Sequence, residues 1–438
     1  MINVLTVFLY VVGIETTYTY FINPELPIPF TVCALAACLA TRSIYDVLKH
    51  WNNERWWLVC YVAIALVITA ATARGEYYGK SIRGASQLIY SLWLALGFYC
   101  ALSKLPRATI SRMALGILWF IAIFAVLEKN PEVSAISDRF RALMDTGGTM
   151  GGVYDSDLRD IATHGTIRAK VFALEPSHAA ITFFYVSMVF IWAARAGLVA
   201  NLAWLGACAF ALWGIRSPIL VPCAFVGLIT IVVIRRQQRT AILKEVQLAN
   251  GLMAIGVFFA MAFVSWDLFA ERANEIVEGE GSFMQRVSGP WIFLREYLPK
   301  HPLVGTGVVG DLDLLSDQLL GLYRSLGASW MGPEFVGKTI SNCLGLHFIY
   351  FGALGGLVTL GLLLKATWLN NRAFWCVLCV QLLCVWMSMG GYNSARVWCA
   401  SAAILCMARR LAITSARRDD STSFSSLKRA ESPAPTRP

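Results

Sequence analysis

The stretch ACAFALWGIRSPILVPCAFVG, Ala207 to Gly227, decides the class of fold. Two apolar runs flank a short break at Arg216-Ser217, and Pro218 opens the second run. Followed outward, the runs cover roughly 198–214 and 218–234, close to the ~20 residues a helix needs to cross a bilayer. Barrel strands would give shorter segments of alternating polarity. The pair reads as two membrane helices joined by a tight turn that carries an arginine.

The same pattern recurs along the chain. Further candidate spans fall at roughly 3–22, 27–44, 56–73, 86–103, 112–128, 176–194, 251–269, 341–364, 373–390 and 393–411, which makes about twelve in all. The composition agrees. The chain has 438 residues, 57% of them hydrophobic and 15% charged, with a mean hydropathy of +0.59. Soluble domains carry about 25% charged residues. The expected fold class is an all-α polytopic membrane protein, with one membrane domain over 1–411 and no soluble domain. The formal charge of +10 does not imply nucleic acid, because the basic residues cluster at the ends of apolar runs. With the N-terminus inside, the short loops TRSIYDVLKHWNNER, SKLPRATISR, RRQQRTAILK and KATWLNNR all face the cytoplasm, as positive-inside bias requires. Both termini are then cytoplasmic, and two long loops, about 129–175 and 271–340, lie outside. The N-terminal run lacks a basic n-region and a cleavage site and reads as the first span. The tail 412–438, rich in Ser, Arg and Pro, is expected to be disordered. Cys376 and Cys379 form a C-x-x-C inside an apolar run with no partner pair, which reads as buried small hydrophobes.

The chemistry is therefore expected on the outside. RVSGPWIFLREYLPKHPLVGTGVVG, Arg286 to Gly310, lies in a loop too long for a connector and too aromatic for disorder. Phe283, Val287, Trp291, Leu294 and Leu298 recur at helical spacing, so an amphipathic loop helix is expected. Pro302 and Gly305-Thr306-Gly307 end it, and Gly305–Gly310 reads as a hinge returning the chain to the membrane. Arg286 and Arg295, nine apart, fall on opposite helix faces, so only one can address a given site.

Several outer residues carry two readings. Arg216 is either a snorkelling turn arginine or an anion ligand. Glu175, just before Pro176, is either an acid stabilised by a helix N-terminus or a carboxylate held as a general base. His178 stands one turn further in. Arg83 and Arg396 lie in the other outer turns. Asp311-Leu-Asp313 resembles a metal-holding D-x-D, but two acids at that spacing arise readily by chance, and no metal is expected. His50, His164, His301 and His347 do not form ligand spacing. There is no phosphate-binding G-x-x-x-x-G-K-[ST] loop and no G-x-S-x-G elbow, which counts against an ATP-driven pump and a serine hydrolase. Arginine forks match phosphate and stay charged. Arginines gathered beside an acid at a membrane surface suit a phosphate-bearing lipid.

These residues also carry a family resemblance. Leu212-Trp-Gly-Ile-Arg216-Ser217 resembles the helix-ending Ser-Arg-Ser/Gly signature of the O-antigen ligase and Wzy-type polysaccharide polymerase superfamily. Arg286-x4-Trp291, followed by His301-Pro-Leu-Val-Gly-Thr-Gly307, is similar to its Arg…Trp…Pro-Leu-x-Gly-x-Gly segment. Ser341-Asn342-x4-His347-x3-Phe351-Gly352-Ala-Leu-Gly355-Gly356 resembles its His-Asn…Gly-Leu-x-Gly stretch, with Ser341 where the family often has His. Phe172-Ala-Leu-Glu175-Pro176-Ser177 looks like the Glu-Pro-Ser element of many polymerases.

The resemblance implies a GT-C-like glycosyltransferase of the bacterial inner membrane. Its donor would be an undecaprenyl-diphosphate-linked oligosaccharide, with no cofactor, metal or nucleotide sugar. A flippase and chain-length regulator proteins would be its partners in exopolysaccharide or O-antigen synthesis. On this reading Glu175, Arg216 and Arg286 are catalytic: the arginines clamp the diphosphate and Glu175 deprotonates the acceptor hydroxyl. Arg83, His178, Trp291, His301, Asn342, His347 and Arg396 bind substrate. The Glu-Pro-Ser element and the missing His favour a polymerase over a ligase acting on lipid A-core. A transporter or lipid-linked glycan flippase is the reading from a different class.

Overall fold

The structure is a computed structural model that describes residues 2–23, 26–49, 53–73, 75, 78–144, 161, 167–194, 198–217, 219–237, 284–309, 312, 315–326 and 340–430. The expected span 251–269, the Asp311/Asp313 pair, and His50 and His164 lie outside these residues. In chain order the elements are α1 (Ile2–Thr16), β1 (Tyr20–Asn23), β2 (Leu26–Ile28), α2 (Thr31–Leu39), α3 (Thr41–Lys49), α4 (Asn53–Thr72), α5 (Tyr78–Lys104), α6 (Arg107–Leu127) and α7 (Pro131–Met144). They continue with α8 (Pro176–Ala193), α9 (Leu198–Ile215), α10 (Leu220–Gln237), a π-helical turn (Met284–Ser288), α11 (Gly289–Tyr297), α12 (Ser316–Ser325), α13 (Cys343–Ala366), α14 (Arg372–Ser388) and α15 (Ala395–Ala430).

Among the described residues, six helices are long and apolar enough to cross a membrane: α5, α6, α8, α10, α13 and the first part of α15. Shorter apolar helices lie within α1, α4, α9 and α14. The chain is a mostly helical, multi-pass membrane protein.

Two stretches differ from expectation. The region read as one span at 27–44 begins as a β1–β2 hairpin and then splits into α2 and α3 around Ala40. Pro27 and Pro29 cannot donate helical hydrogen bonds, and the Thr41 hydroxyl takes the Cys38 carbonyl at 2.7 Å where the helix breaks. At the other end α15 continues to Ala430, through most of the tail expected to lack order. No glycine or proline interrupts the sequence between Ala395 and Pro433.

α8 sits at the centre. It is apolar on every side, as a helix surrounded by others must be, and every residue from Ala179 to Ala193 is buried. α6, α10, α15, α9, α1 and α14 pack around it. A polar thread fixes its neighbours. Trp192 Nε1 donates to Gln381 at 2.7 Å, and Gln381 donates to Thr230 at 2.7 Å. Such interhelical bonds hold membrane helices where no hydrophobic force acts between them.

The two ends of the bundle differ. At one end arginines close helix C-termini: Arg107 donates to the Trp192 carbonyl at 2.8 Å and Arg410 to those of Leu102 and Leu105 at 3.0 and 2.7 Å. Cations suit that end of the helix dipole. At the other end Glu175, Asn342 and Arg396 stand at the N-termini of α8, α13 and α15, beside the described loop segments.

The first part of the stretch read as a hinge, Gly305–Gly307, is docked against α13. α13 breaks at Gly352, whose φ is 72°, and the loop supplies the hydrogen bonds the break removes. Ala353, Leu354 and Gly355 donate their amides to the carbonyls of His301, Pro302 and Leu303, at 3.1, 3.0 and 2.9 Å. Thr306 and Gly307 donate theirs to Ile349 and Tyr350, at 3.1 and 2.8 Å. A backbone break within a membrane helix must be satisfied inside the protein. Thr72 locks the far side by donating to the Thr306 carbonyl at 3.0 Å.

Candidate functional site

The site is built on residues 168–177, which cross the loop end of the bundle. Glu128, just beyond α6, accepts the amides of Lys170 and Val171 on one carboxylate oxygen, both at 2.8 Å. Burial pushes its carboxyl above the ordinary range, and the Ser137 hydroxyl and the two amides pull it back. Ser137 also accepts the Phe172 amide at 3.2 Å. Val171 and Phe172 are held with φ of 49° and 66°. That is a strained region for a β-branched residue, and such strain persists only where the surroundings impose it. Pro176 then fills the first turn of α8 and leaves Glu175 extended at its N-cap.

Three side chains meet there. The Ser177 hydroxyl donates to Glu175 Oε2 at 2.9 Å. Arg286 Nη2 donates to Ser177 Oγ at 3.2 Å and stands 3.9 Å from the same Glu175 oxygen. Asn342 fixes the arginine from behind. Its Nδ2 donates to the Arg286 carbonyl at 2.7 Å while its Oδ1 caps α13 through the Gly345 amide at 3.0 Å. Arg396, buried at the start of α15, is within electrostatic reach of Glu175. His178, in the first turn of α8, is within electrostatic reach of both arginines. A half-exposed carboxylate, a hydroxyl and two guanidinium groups thus gather where three helix N-termini converge, which is favourable ground for an anion.

The other expected residues lie elsewhere. Arg216 ends α9 with φ of 50° and acts electrostatically on Lys129, whose ammonium stands 3.6 Å from the centre of the Trp213 ring. No described contact joins Arg216 to Glu175 or Arg286. His347 is a core residue: Nδ1 accepts from Tyr392 at 3.0 Å, Nε2 faces the Gly356 carbonyl at 3.0 Å, and Tyr61 continues the chain through Tyr392. His301 stacks on Tyr297 with ring centroids 4.1 Å apart, and its carbonyl belongs to the α13 splice. Trp291 and Arg295 are exposed on α11, and Arg83 is exposed early in α5. The Glu-Pro-Ser element contained Ser177 but gave it no role, and Glu128 was passed over. The signal for Glu128 was an acid placed directly after an apolar run.

Lys129 gives a pH-dependent prediction. Burial first, and the Arg216 charge second, lower its pKa to about 8, against about 10.4 for an ordinary lysine. The unfolded chain therefore holds more protons between those values, and the Lys129 contribution to stability rises with pH through that window. Amine acylation of Lys129, followed by peptide mass spectrometry, should reach half its maximal rate near pH 8. Arg216→Gln should move that midpoint upward. A midpoint near 10 in the native protein would contradict the placement.

Compared with known protein families, characterised proteins and solved structures, the chain gives no match. The fold and site define a multi-pass membrane protein with a carboxylate–arginine cluster at its loop end.

Proposed function

We propose that the chain is a membrane glycosyltransferase that polymerises undecaprenyl-diphosphate-linked oligosaccharide repeat units at the periplasmic face of the bacterial inner membrane. In this reading it has a GT-C-like fold of about twelve spans, with both termini cytoplasmic. The observation that carries the reading is Glu175 paired with Arg286 through Ser177 at the membrane edge. A base and a phosphate-directed cation then address one substrate.

An apolar cleft adds support. It has a volume of about 450 Å³ and runs between α4, α5, α13, α14 and α15. Its lining includes Leu344 and Trp398, on the first turns of α13 and α15, so the cleft reaches the end of the bundle that carries Asn342 and Arg396. A polyprenyl chain fits such a lining, with its diphosphate left at the site.

In the step itself the acceptor hydroxyl oxygen attacks the anomeric carbon and its proton passes to Glu175. The bond from that carbon to the phosphate oxygen breaks, and the lipid diphosphate leaves with the electron pair. Arg286 and Arg396 stabilise the charge that develops on it. Direct displacement inverts the anomeric centre.

The test is purified protein incubated with lipid-linked repeat units alone, followed by chain-length analysis. A ladder of polymer supports a polymerase. Product only when lipid A-core is added would make it a ligase. Unchanged covalent structure with movement of the lipid across a vesicle would make it a flippase.

A further inference from the structure

The turn Pro302-Leu303-Val304 carries two large apolar side chains that the described residues leave open: Leu303 is 64% and Val304 41% exposed. The splice fixes where this turn stands. The carbonyls of Pro302 and Leu303 accept the amides of Leu354 and Gly355, and the Val304 backbone lies against Gly352. The turn is therefore level with the start of the second half of α13. That half presents one exposed stripe, Leu354, Leu357, Val358, Gly361 and Leu364, at i, i+3, i+4, i+7 and i+10. An apolar stripe left open on a membrane-crossing helix faces lipid.

The height of the turn follows from the rise of the helices. Lys365 closes the stripe with its ammonium 5.3 Å from the centre of the Trp368 ring, and lysine with tryptophan marks a membrane–water boundary. Leu354 stands eleven residues before Lys365, about 16 Å along the helix. The hydrocarbon core is about 30 Å thick, which puts its midplane roughly 15 Å from that boundary. α4 gives a second measure. Trp56 and Trp57 are exposed near its start, and Leu58 lines the apolar cleft together with Thr367 and Arg409, so this end of α4 lies at the same boundary. Thr69 is thirteen residues beyond Trp56, about 20 Å further in. Its hydroxyl accepts the Val308 amide at 2.9 Å. The chain thus stands near the midplane at Leu303 and is already returning by Val308. Irregular backbone at that depth has to be satisfied within the protein. The carbonyls of His301, Pro302 and Leu303 all accept amides from α13, and Pro302 has no amide of its own. Lys300, exposed just before the turn, has a stem long enough to carry its ammonium toward the polar surface.

We propose that Pro302-Leu303-Val304 is the tip of a re-entrant segment, and that Leu303 and Val304 pack against phospholipid acyl chains near the bilayer midplane. The partner is the bilayer itself, met on a surface continuous with the lipid face of α13. The proposal does not rest on the transferase reading. It gives the bilayer a part in positioning α11, and with it the Arg286 segment that leads into that helix.

The experiment uses the full chain in phosphatidylcholine vesicles, with an environment-sensitive fluorescent amino acid in place of Leu303 or, separately, Val304. The same label at Leu357 is the lipid-facing standard, and at Glu132, exposed in the first turn of α7, the aqueous standard. The quenchers are phospholipids with a nitroxide near the headgroup or near the chain terminus, and iodide in the buffer. At 303 and 304 the terminal nitroxide should quench more than the shallow one, and the iodide quenching seen at 132 should be lost. Iodide quenching equal to that at 132 would put the turn in water. Stronger quenching by the shallow nitroxide would put it at the headgroups, and shielding from all three quenchers would put it under protein. Each of these results overturns the proposal. Only labelled proteins that keep the wild-type thermal transition are compared, and either position alone is enough to decide.

Discussion

Gly305→Ala and Gly352→Ala should each unfold the loop end of the bundle. A Cβ on Gly305 would collide with the Ile349 carbonyl oxygen and come within 2.8 Å of the Gly352 amide nitrogen. A Cβ on Gly352 would approach the Val304 carbonyl carbon to 2.6 Å and the His301 oxygen to 2.8 Å. Gly352 also sits at φ 72°, where a side chain is strained regardless of space. These neighbours are backbone and cannot rotate away. Two of them, the Ile349 and His301 carbonyls, accept splice hydrogen bonds between the loop and α13. Overpacking costs about 1–3 kcal/mol and backbone strain a further ~1–3 kcal/mol, before any splice bond is lost. Each loss would leave a polar group unsatisfied at membrane depth. Gly361→Ala, in the same helix with nothing within 4 Å of the added carbon, is the control. It should be neutral or stabilise by up to about 1 kcal/mol, because alanine is the better helix former. Thermal unfolding of the solubilised protein decides the matter. Melting within a degree or two of wild type for both splice variants would refute the interlock.

That splice marks the limit of what the sequence discloses. The apolar runs place most of the helices, because a bilayer forces a long uncharged stretch wherever the chain crosses it. Glu175-Pro176 announces its helix start, since proline suits the first turn. The spacing of Leu294 with its neighbours finds α11, with Leu294 buried and Arg295 exposed. The break at Gly352 is invisible, because Gly355, Gly356 and Gly361 look the same in sequence and of these four only Gly352 takes the positive φ that breaks the helix. His347 looked like a site residue, but its partners Tyr392 and Tyr61 come from distant segments and draw it into the core. Pro27 and Pro29, in contrast, were legible as helix breakers within the run taken for a single span.

Arg286→Ala should lower polymerisation of lipid-linked repeat units by about 10²–10³-fold, the usual effect of removing one preorganised group that stabilises developing charge. The fold should survive. Asn342 holds Arg286 through its backbone carbonyl, and the Ser341 amide bonds to the Gln285 carbonyl at 2.9 Å, so truncating the side chain leaves the docking of this segment intact. Arg286→Lys should recover little. An ammonium keeps the charge but loses the planar fork that spans two phosphate oxygens. Arg295→Ala, exposed on α11, should have no effect. Glu175→Gln separates the two roles. It removes the base but keeps a group able to accept from Ser177, so turnover should fall while binding of the lipid-linked donor persists. Arg286→Ala should weaken that binding as well, because donor and leaving group share the diphosphate. The contrast is measured as single-turnover rate against donor affinity, on protein shown to be folded by its thermal transition. If Arg286→Ala binds and elongates the donor as wild type does, the arginine beside Glu175 is a structural ion pair and the clamp must lie elsewhere.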